Sequence, residues 1–292
     1  MTLKSAIAPL FVILWSTGFL GAKLGLPHAE PMTFLALRFG IVAVLIWAWV
    51  LLRREQRLTW RQARNQAIIG ALLHSFYLGG VFVAISWGTE AGVTALIVGL
   101  QPVAMALLAI AWLGEKMRAV QWLGMALGVS GVALVVARKL GAGIGDMDGV
   151  LLCTFGLIGI AIGSVMQKRA GEDTPMLAGN AVQFASASVC CAVVAVVAET
   201  REIQWTGEFI FALVWLVVVL SLGAITIFFI LIQRGAASQV GSLFFLIPPT
   251  TAIFAWFLFD ERMGPVEIFG MAMAALGVLL VNRPKPAPQS GS

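Results

Sequence analysis

Apolar runs of about twenty residues, each closed by charges or by Pro and Gly, succeed one another along the whole chain, and that rhythm leaves it few ways to fold. The runs fall at 5–24, 32–52, 66–88, 91–113, 119–137, 149–167, 176–198, 209–232, 236–258 and 265–282. In a bilayer every backbone N–H and C=O must be satisfied inside the spanning segment, so runs of this length read as helices. The sequence therefore predicts an all-α integral membrane protein of ten transmembrane helices. Residues are 60% hydrophobic and 11% charged, too few charges to coat a water-facing surface. Short loops leave no room for a soluble catalytic or nucleotide-binding domain, so any function sits among the helices.

The net charge of +5 does not point to nucleic acid, because the basic residues are spread through loops beside lipid headgroups. Arg53, Arg54, Arg57, Arg61 and Arg64 form one juxtamembrane cluster. With the N-terminus inside, thirteen Lys and Arg fall on the cytoplasmic side and five outside, which predicts that both termini are cytoplasmic. The run from Ser5 to Ala22 lacks a small-residue cleavage site and reads as a retained first helix. Cys153, Cys190 and Cys191 lie in apolar runs and imply no disulfide framework. His28 and His74 are the only histidines, and no metal-ligand spacing, P-loop or nucleophile elbow is present. Neither a cofactor nor enzymatic chemistry is expected.

The chain repeats itself. Leu100-Gln101-Pro102, Gly114-Glu115-Lys116-Met117, Gly124-Met125-Ala126 and Gly131-Val132-Ala133-Leu134-Val135 return 146 positions later as Leu246-Ile247-Pro248, Asp260-Glu261-Arg262-Met263, Gly270-Met271-Ala272 and Gly277-Val278-Leu279-Leu280-Val281. At a spacing of 145, Gly18, Lys23, Ala36 and Phe39 match Gly163, Lys168, Ala181 and Phe184. Two units of five helices follow, over 1–140 and 146–283, with 284–292 a disordered tail. Five is odd, so the second unit is inverted relative to the first. Inverted repeats characterise secondary transporters, which rock one unit against the other around a midplane site.

These residues, with Trp15-Ser16-Thr17-Gly18-Phe19 and Ala36-Leu37-Arg38-Phe39, resemble the drug/metabolite transporter superfamily, and within it the ten-helix exporters of the EamA type. The resemblance covers essentially the whole chain. It implies an exporter of small metabolites in the bacterial cytoplasmic (inner) membrane, with amino acids, including aromatic ones, a prominent substrate class. The second copy departs from the first where Gln183 stands in the place of Arg38 and Pro248-Pro249 in that of Pro102-Val103.

The candidate site residues follow from polarity inside the spans. Pro102, Pro248 and Pro249 lie mid-span, where proline frees a carbonyl and bends a helix, a pointer to a transporter's binding site or gate. Gln101 offers both donor and acceptor to a zwitterion. Arg38 is the one formal charge well inside a span; it serves a ligand carboxylate or gating, or else snorkels or makes a structural hydrogen bond. His74, Ser75 and Tyr77 form a polar cluster in the third span. Trp15, Ser16 and Thr17, with Trp87, Ser164 and Ser242, complete a cavity with aromatic walls and hydroxyl edges. The small faces Gly124-x-x-x-Gly128, Gly159-x-x-x-Gly163 and Gly270-x-x-x-Ala274 serve packing or a dimer, so monomer and homodimer both stay open.

Proton relays use intramembrane Asp, Glu or His. The acidic residues lie in loops or at span ends, leaving His74 as the sole titratable candidate, which favours facilitated diffusion or exchange. A multidrug exporter of lipophilic cations is the alternative, disfavoured by the lack of an acidic residue within the spans.

Overall fold

The computed structural model describes residues 3–54, 57–87, 97–136, 147–170, 174–259 and 264–283. The expected tail from 284, the loop bearing Glu261, and residues 91–96 of the fourth expected span lie outside the described residues. Within them the chain is helical, with one isolated antiparallel bridge between Ala29 and Ile203. Helix α1 is Leu3–Ser16, resumed as Gly18–Gly25 after Thr17. It is followed by α2 (Pro31–Arg53), α3 (Trp60–Ser86), α4 (Gln101–Leu113), α5 (Ala119–Val136), α6 (Met147–Ala170), α7 (Met176–Ala198) and α8 (Gly207–Arg234). Helix α9 runs as Ala237–Ser242, a 3₁₀ turn Leu243–Leu246 and Ile247–Phe259, and α10 is Pro265–Val281. Of these, α2, α3, α6, α7 and α8 are long and apolar enough to cross a membrane.

Helix α3 begins six residues before the apolar run at 66. Its first turns are polar, and a reciprocal cap starts them: the Thr59 hydroxyl accepts from the Gln62 N–H at 3.3 Å while the Gln62 amide accepts from the Thr59 N–H at 2.9 Å. Arg61 and Arg64 ride on this amphipathic start, which hydropathy alone assigns to a loop.

Helices α5 and α10 pack antiparallel at backbone contact. A Cβ on Gly277 would stand 2.6 Å from the Gly124 carbonyl oxygen, and one on Gly131 would stand 2.5 Å from the Ala274 nitrogen. At one end of this pair the Gln121 amide donates to the Val281 carbonyl at 2.9 Å. The small faces read from the sequence on α5 and α10 thus face each other within one chain. Helices α2 and α7 also run antiparallel, with Ser188 of α7 donating to the Ala36 carbonyl of α2 at 2.9 Å.

Two stretches widen to π-helix, Ala71–Phe76 in α3 and Leu216–Ala224 in α8, beginning 145 positions apart. Each lies on a glycine face of another helix. Gly159 and Gly163 of α6 meet Leu72 and Leu73, and Gly18 and Gly21 of α1 meet Leu220 and Leu216. A π-helical turn carries an extra residue per turn and re-aims its side chains, and such turns concentrate at functional sites.

The prolines do not bend continuous α-helix as the sequence alone suggests. Pro102 falls in the first turn of α4, after a turn at 99–100, and Pro248 and Pro249 open the Ile247–Phe259 segment after a 3₁₀ turn. A proline in a first turn forfeits no intrahelical hydrogen bond. The interruption is a change of helix type at mid-span.

Candidate functional site

A cavity of about 70 Å³ lies between α1, α2, α3, α7 and α8. Trp15 and Gly18 come from α1, Arg38 from α2, Phe184 from α7 and Ser221 from α8, while His74, Tyr77 and Phe82 come from α3. The two π-helical stretches supply His74 and Ser221, so the widened turns are what point polar groups inward. Arg38 is 5% exposed and is the single charged side chain among the described residues of the lining. Its Nε donates to the Ser221 hydroxyl at 3.0 Å, which fixes the guanidinium plane. The cost of an arginine in the hydrocarbon region is at least about 2.5 kcal/mol, so an internal partner or an anionic guest is required. His74 stacks on Phe184 with ring centroids 4.5 Å apart, and its Nε2 is buried with no hydrogen-bond partner among the described residues. Trp15, packed edge-on against Phe244 at 5.2 Å, forms an aromatic wall with Phe11 and Phe228 behind it.

The arrangement joins one cationic group and one ring nitrogen to aromatic walls, with no carboxylate among the described residues of the lining. It suits a small amphipathic molecule bearing an anionic end.

The cavity leads toward one end of the bundle. Ile85 is shared with a broader hollow of about 630 Å³ lined by Leu26, His28, Glu30, Ser86, Thr200 and Gln204. Two carboxylates tie the helices together at this end. Glu199 accepts from the N–H groups of Met32 and Thr33, each at 2.7 Å, and from the Thr33 hydroxyl at 2.7 Å. Glu30 accepts from the Thr200 hydroxyl at 2.6 Å and from the N–H groups of Thr200 at 2.7 Å and Arg201 at 3.1 Å. The Thr200 hydroxyl, aided by the Thr200 and Arg201 N–H groups and the Arg201 charge, holds the Glu30 carboxyl below its ordinary pKa. Arg201 occupies left-handed backbone at φ 65°, a conformation this pairing helps to hold.

The opposite end is clamped differently. Glu115, beyond α4, accepts from the Ala237 N–H at 2.7 Å, the Ser238 N–H at 3.3 Å and the Ser238 hydroxyl at 2.8 Å. It thereby caps the N-terminus of α9, where the helix dipole favours a negative charge. Lys168 of α6 stands 3.8 Å from Glu115 and donates to the Gly235 carbonyl. Glu115 belongs to the first half of the sequence and its partners to the second.

Of the side chains singled out from the sequence, the cavity gathers Trp15, Arg38, His74 and Tyr77. The others are placed elsewhere. Ser16 donates to the Val12 carbonyl at 2.7 Å, and Thr17 donates to Leu14 at 2.7 Å while accepting from the Trp215 indole at 3.0 Å. Ser75 turns to the Ala187 carbonyl of α7 at 3.0 Å, and Ser164 to Ile160 at 2.6 Å within its own helix. Gln101 is fully buried against Met105, and Ser242 binds the Asn282 amide at 2.9 Å. Trp87, 57% exposed at the end of α3, lies outside the lining. Pro102, Pro248 and Pro249 do not line it either. Sequence reasoning missed Ser221 and Phe184. Phe184 carries a signal, being the match of Phe39 in the repeat, whereas Ser221 is a lone hydroxyl in an apolar run with nothing to mark it.

Membrane-length helices arranged around an internal, mostly apolar cavity with a few convergent polar groups define a multi-pass membrane transporter. The profile of the EamA-like transporter family matches residues 5–137 and again 147–283, and the chain belongs to that family. It is 28% identical to the uncharacterized transporter YvbV of Bacillus subtilis (strain 168), over all of this chain and 95% of that one. The uncharacterized inner membrane transporter YedA of Escherichia coli (strain K12) is 26% identical, with 97% and 91% covered. A probable terminal-alkyne amino-acid exporter of Streptantibioticus cattleyicolor is also 26% identical, with 94% and 91% covered. A solved crystal structure superposes with a TM-score of 0.80 at 20% identity, covering 94% of this chain and 95% of that chain, which establishes a shared fold.

Proposed function

We propose that this transporter exports small amphipathic metabolites bearing a carboxylate, amino acids foremost and aromatic ones favoured, by alternating access around the Arg38 cavity. The observation that carries the reading is Arg38 itself: a buried guanidinium, held by Ser221, in a lining with aromatic walls and no carboxylate among its described residues. Such a cavity disfavours a lipophilic cation, and it pairs the guanidinium with a carboxylate. The name of the Streptantibioticus relative, a probable amino-acid exporter, agrees with this class.

Alternating access follows from the reading of residues 1–140 and 146–283 as two inverted five-helix units. The antiparallel packing of α2 on α7 and of α5 on α10, and the two π-helical stretches 145 positions apart, support that reading. The chain lies in the bacterial inner membrane, as YedA does by name, with both termini assigned to the cytoplasm by its basic loops. In that orientation the Glu115 clamp closes the cytoplasmic end, and the cavity leads to the outside. Transport proceeds by facilitated diffusion or exchange: the described lining holds no carboxylate, and His74 is its one side chain that could relay a proton.

Counterflow in proteoliposomes tests this. Vesicles preloaded with unlabelled phenylalanine should accumulate labelled phenylalanine saturably, and Arg38→Gln should abolish most of the uptake. Equal uptake by the variant would remove Arg38 from substrate binding.

A further inference from the structure

The last turn of α2 and the first turns of α3 lie at one end of the bundle, opposite Glu30, and residues 53–64 carry five arginines against the single glutamate Glu55. Arg53 closes α2, and Trp60 opens α3 seven positions later. This start of α3 is amphipathic. Gln66, Ile69 and Gly70 are buried, the last against the α7 backbone, while Trp60, Arg61, Arg64 and Ile68 are exposed. Trp60, Arg64 and Ile68 follow at i, i+4 and i+8 and form one outward stripe, about 12 Å long at a rise of about 1.5 Å per residue. The Thr59–Gln62 cap holds the stripe in helical form.

The chain itself does not account for this stripe. Among the described residues the ion pairs are His28–Glu208 and Glu115–Lys168, and the five arginines take part in neither. Trp60 is 82% exposed, the most of any described tryptophan. Water offers so bare an indole little, and hydrocarbon rejects the arginines beside it. The headgroup layer of a bilayer suits both, with Ile68 on its acyl side. Helix α2 ends on the same pairing at i and i+4: Trp49 is half-exposed, and the Arg53 guanidinium lies over its ring, 5.0 Å from the centroid.

We propose that the start of α3, with the end of α2, is a binding site for a bilayer phospholipid with an anionic headgroup, of the phosphatidylglycerol kind. Arg61 and Arg64 take the phosphate, whose oxygens match the guanidinium fork. Trp49 and Trp60 lie at headgroup level, and Ile68 meets the acyl chains. Phosphatidylcholine offers the same phosphate but carries its own cation, which a patch of positive charge disfavours. The bound lipid anchors the end of the helix whose widened turn supplies His74 to the cavity. The site follows from the place of the chain in the membrane and does not depend on the substrate carried.

The test titrates purified protein in neutral detergent with short-chain phosphatidylglycerol and follows the melting temperature. The wild type should be stabilised saturably, far less by phosphatidylcholine, and added salt should weaken the effect. Arg61→Gln combined with Arg64→Gln should bind phosphatidylglycerol roughly 30-fold more weakly, about 1 kcal/mol for each arginine. Arg169→Gln combined with Arg234→Gln removes the same charge from exposed positions outside the stripe and should bind as the wild type does. Trp60→Ala, which keeps every charge, should weaken binding severalfold. If the first pair does not fold, the single Arg61→Gln and Arg64→Gln variants carry the same comparison. Equal stabilisation of the wild type by phosphatidylcholine would overturn the site. Equal weakening in the two double variants would overturn it too, leaving only a diffuse attraction of basic loops. Inorganic phosphate that stabilises the wild type as well as the lipid does would make the ligand a free anion and refute the lipid assignment.

Discussion

Arg38 and Gln183 occupy equivalent places in α2 and α7, yet the two places have different surroundings. Around Arg38 the structure opens: Gly18 and the π-helical turn of α8 leave room, and the guanidinium faces a cavity with one hydroxyl partner. Around Gln183 it is filled: Gly70 lets α3 press against the backbone, and two further glutamines complete the contact. One half presents its polar residue to the cavity while the other holds its own among neighbours.

The helices that do not change partners make the contrast sharper. The α5–α10 contact is backbone on backbone at its glycines, with the Gln121 link to the Val281 carbonyl at one end. Replacing Gly131 with Val should therefore have the largest effect. It drives a branched side chain into the Ala274 backbone, at a cost of about 3 kcal/mol or more, read as loss of monodisperse protein in detergent. If Gly131→Val is tolerated and transports normally, α5 and α10 are not the fixed frame.

Next in size is the charge itself. Loss of a charge-assisted hydrogen bond of about 1.5–3 kcal/mol predicts a roughly 10–100-fold rise in KM for an amino acid in Arg38→Gln. Ser221→Ala, which leaves the charge but frees its orientation, should cost less, within about tenfold. An equal or larger effect of Ser221→Ala would shift the weight from the charge to the hydroxyl.

The Glu115 clamp comes third. Glu115→Gln removes the charge that caps α9 and pairs with Lys168, worth about 1 kcal/mol, so the end should open several-fold more often. In a background with the three native cysteines replaced by alanine, Ser164→Cys should then react several-fold faster with a membrane-impermeant reagent from the cytoplasmic side. Unchanged reactivity would make the clamp a cap and not a gate.

The smallest effect is at the end tied by Glu30 and Glu199. The Glu30 pKa is lowered by folding, so its link to Thr200 and Arg201 is fully present above 4.5, the value of an unperturbed glutamate, and is lost as pH falls through the lowered value. Hydrogen exchange at Thr200 and Arg201 should rise on acidification below that value and be already raised at neutral pH in Glu30→Gln.

Much of this architecture is legible in the sequence because lipid imposes a strict rule on backbone polar groups. The apolar runs mark the described helices to within a few residues, except at α3, whose polar first turns are held by the Thr59–Gln62 cap, and at α4, which begins at Gln101 where the run begins at 91 and whose expected residues 91–96 lie outside the described residues. The site is harder to read. Arg38 stands out because a charge inside an apolar run has no cheap structural use, and it does line the cavity. Serines and threonines give no such signal, since a hydroxyl can bond to a carbonyl of its own helix, as Ser16, Thr17 and Ser164 do. Ser75 uses the carbonyl of a neighbouring helix instead. Ser221 differs only because the π-helical turn re-aims it, and no residue type announces such a turn. Gln66 and Gln167 carry no such signal, whereas Gln183 is marked by standing in the place of Arg38 in the repeat.

Whether Arg38 reads a substrate carboxylate is decided by counterflow of labelled phenylalanine into preloaded proteoliposomes, made side by side for the wild type and Arg38→Gln, with 3-phenylpropionate and a lipophilic cation as competitors. A carboxylate-reading cavity gives saturable uptake by the wild type, competition by the carboxylate and not by the cation, and at least a tenfold loss in the variant. Uptake that survives in Arg38→Gln, or that yields to the cation instead of the carboxylate, would refute that role.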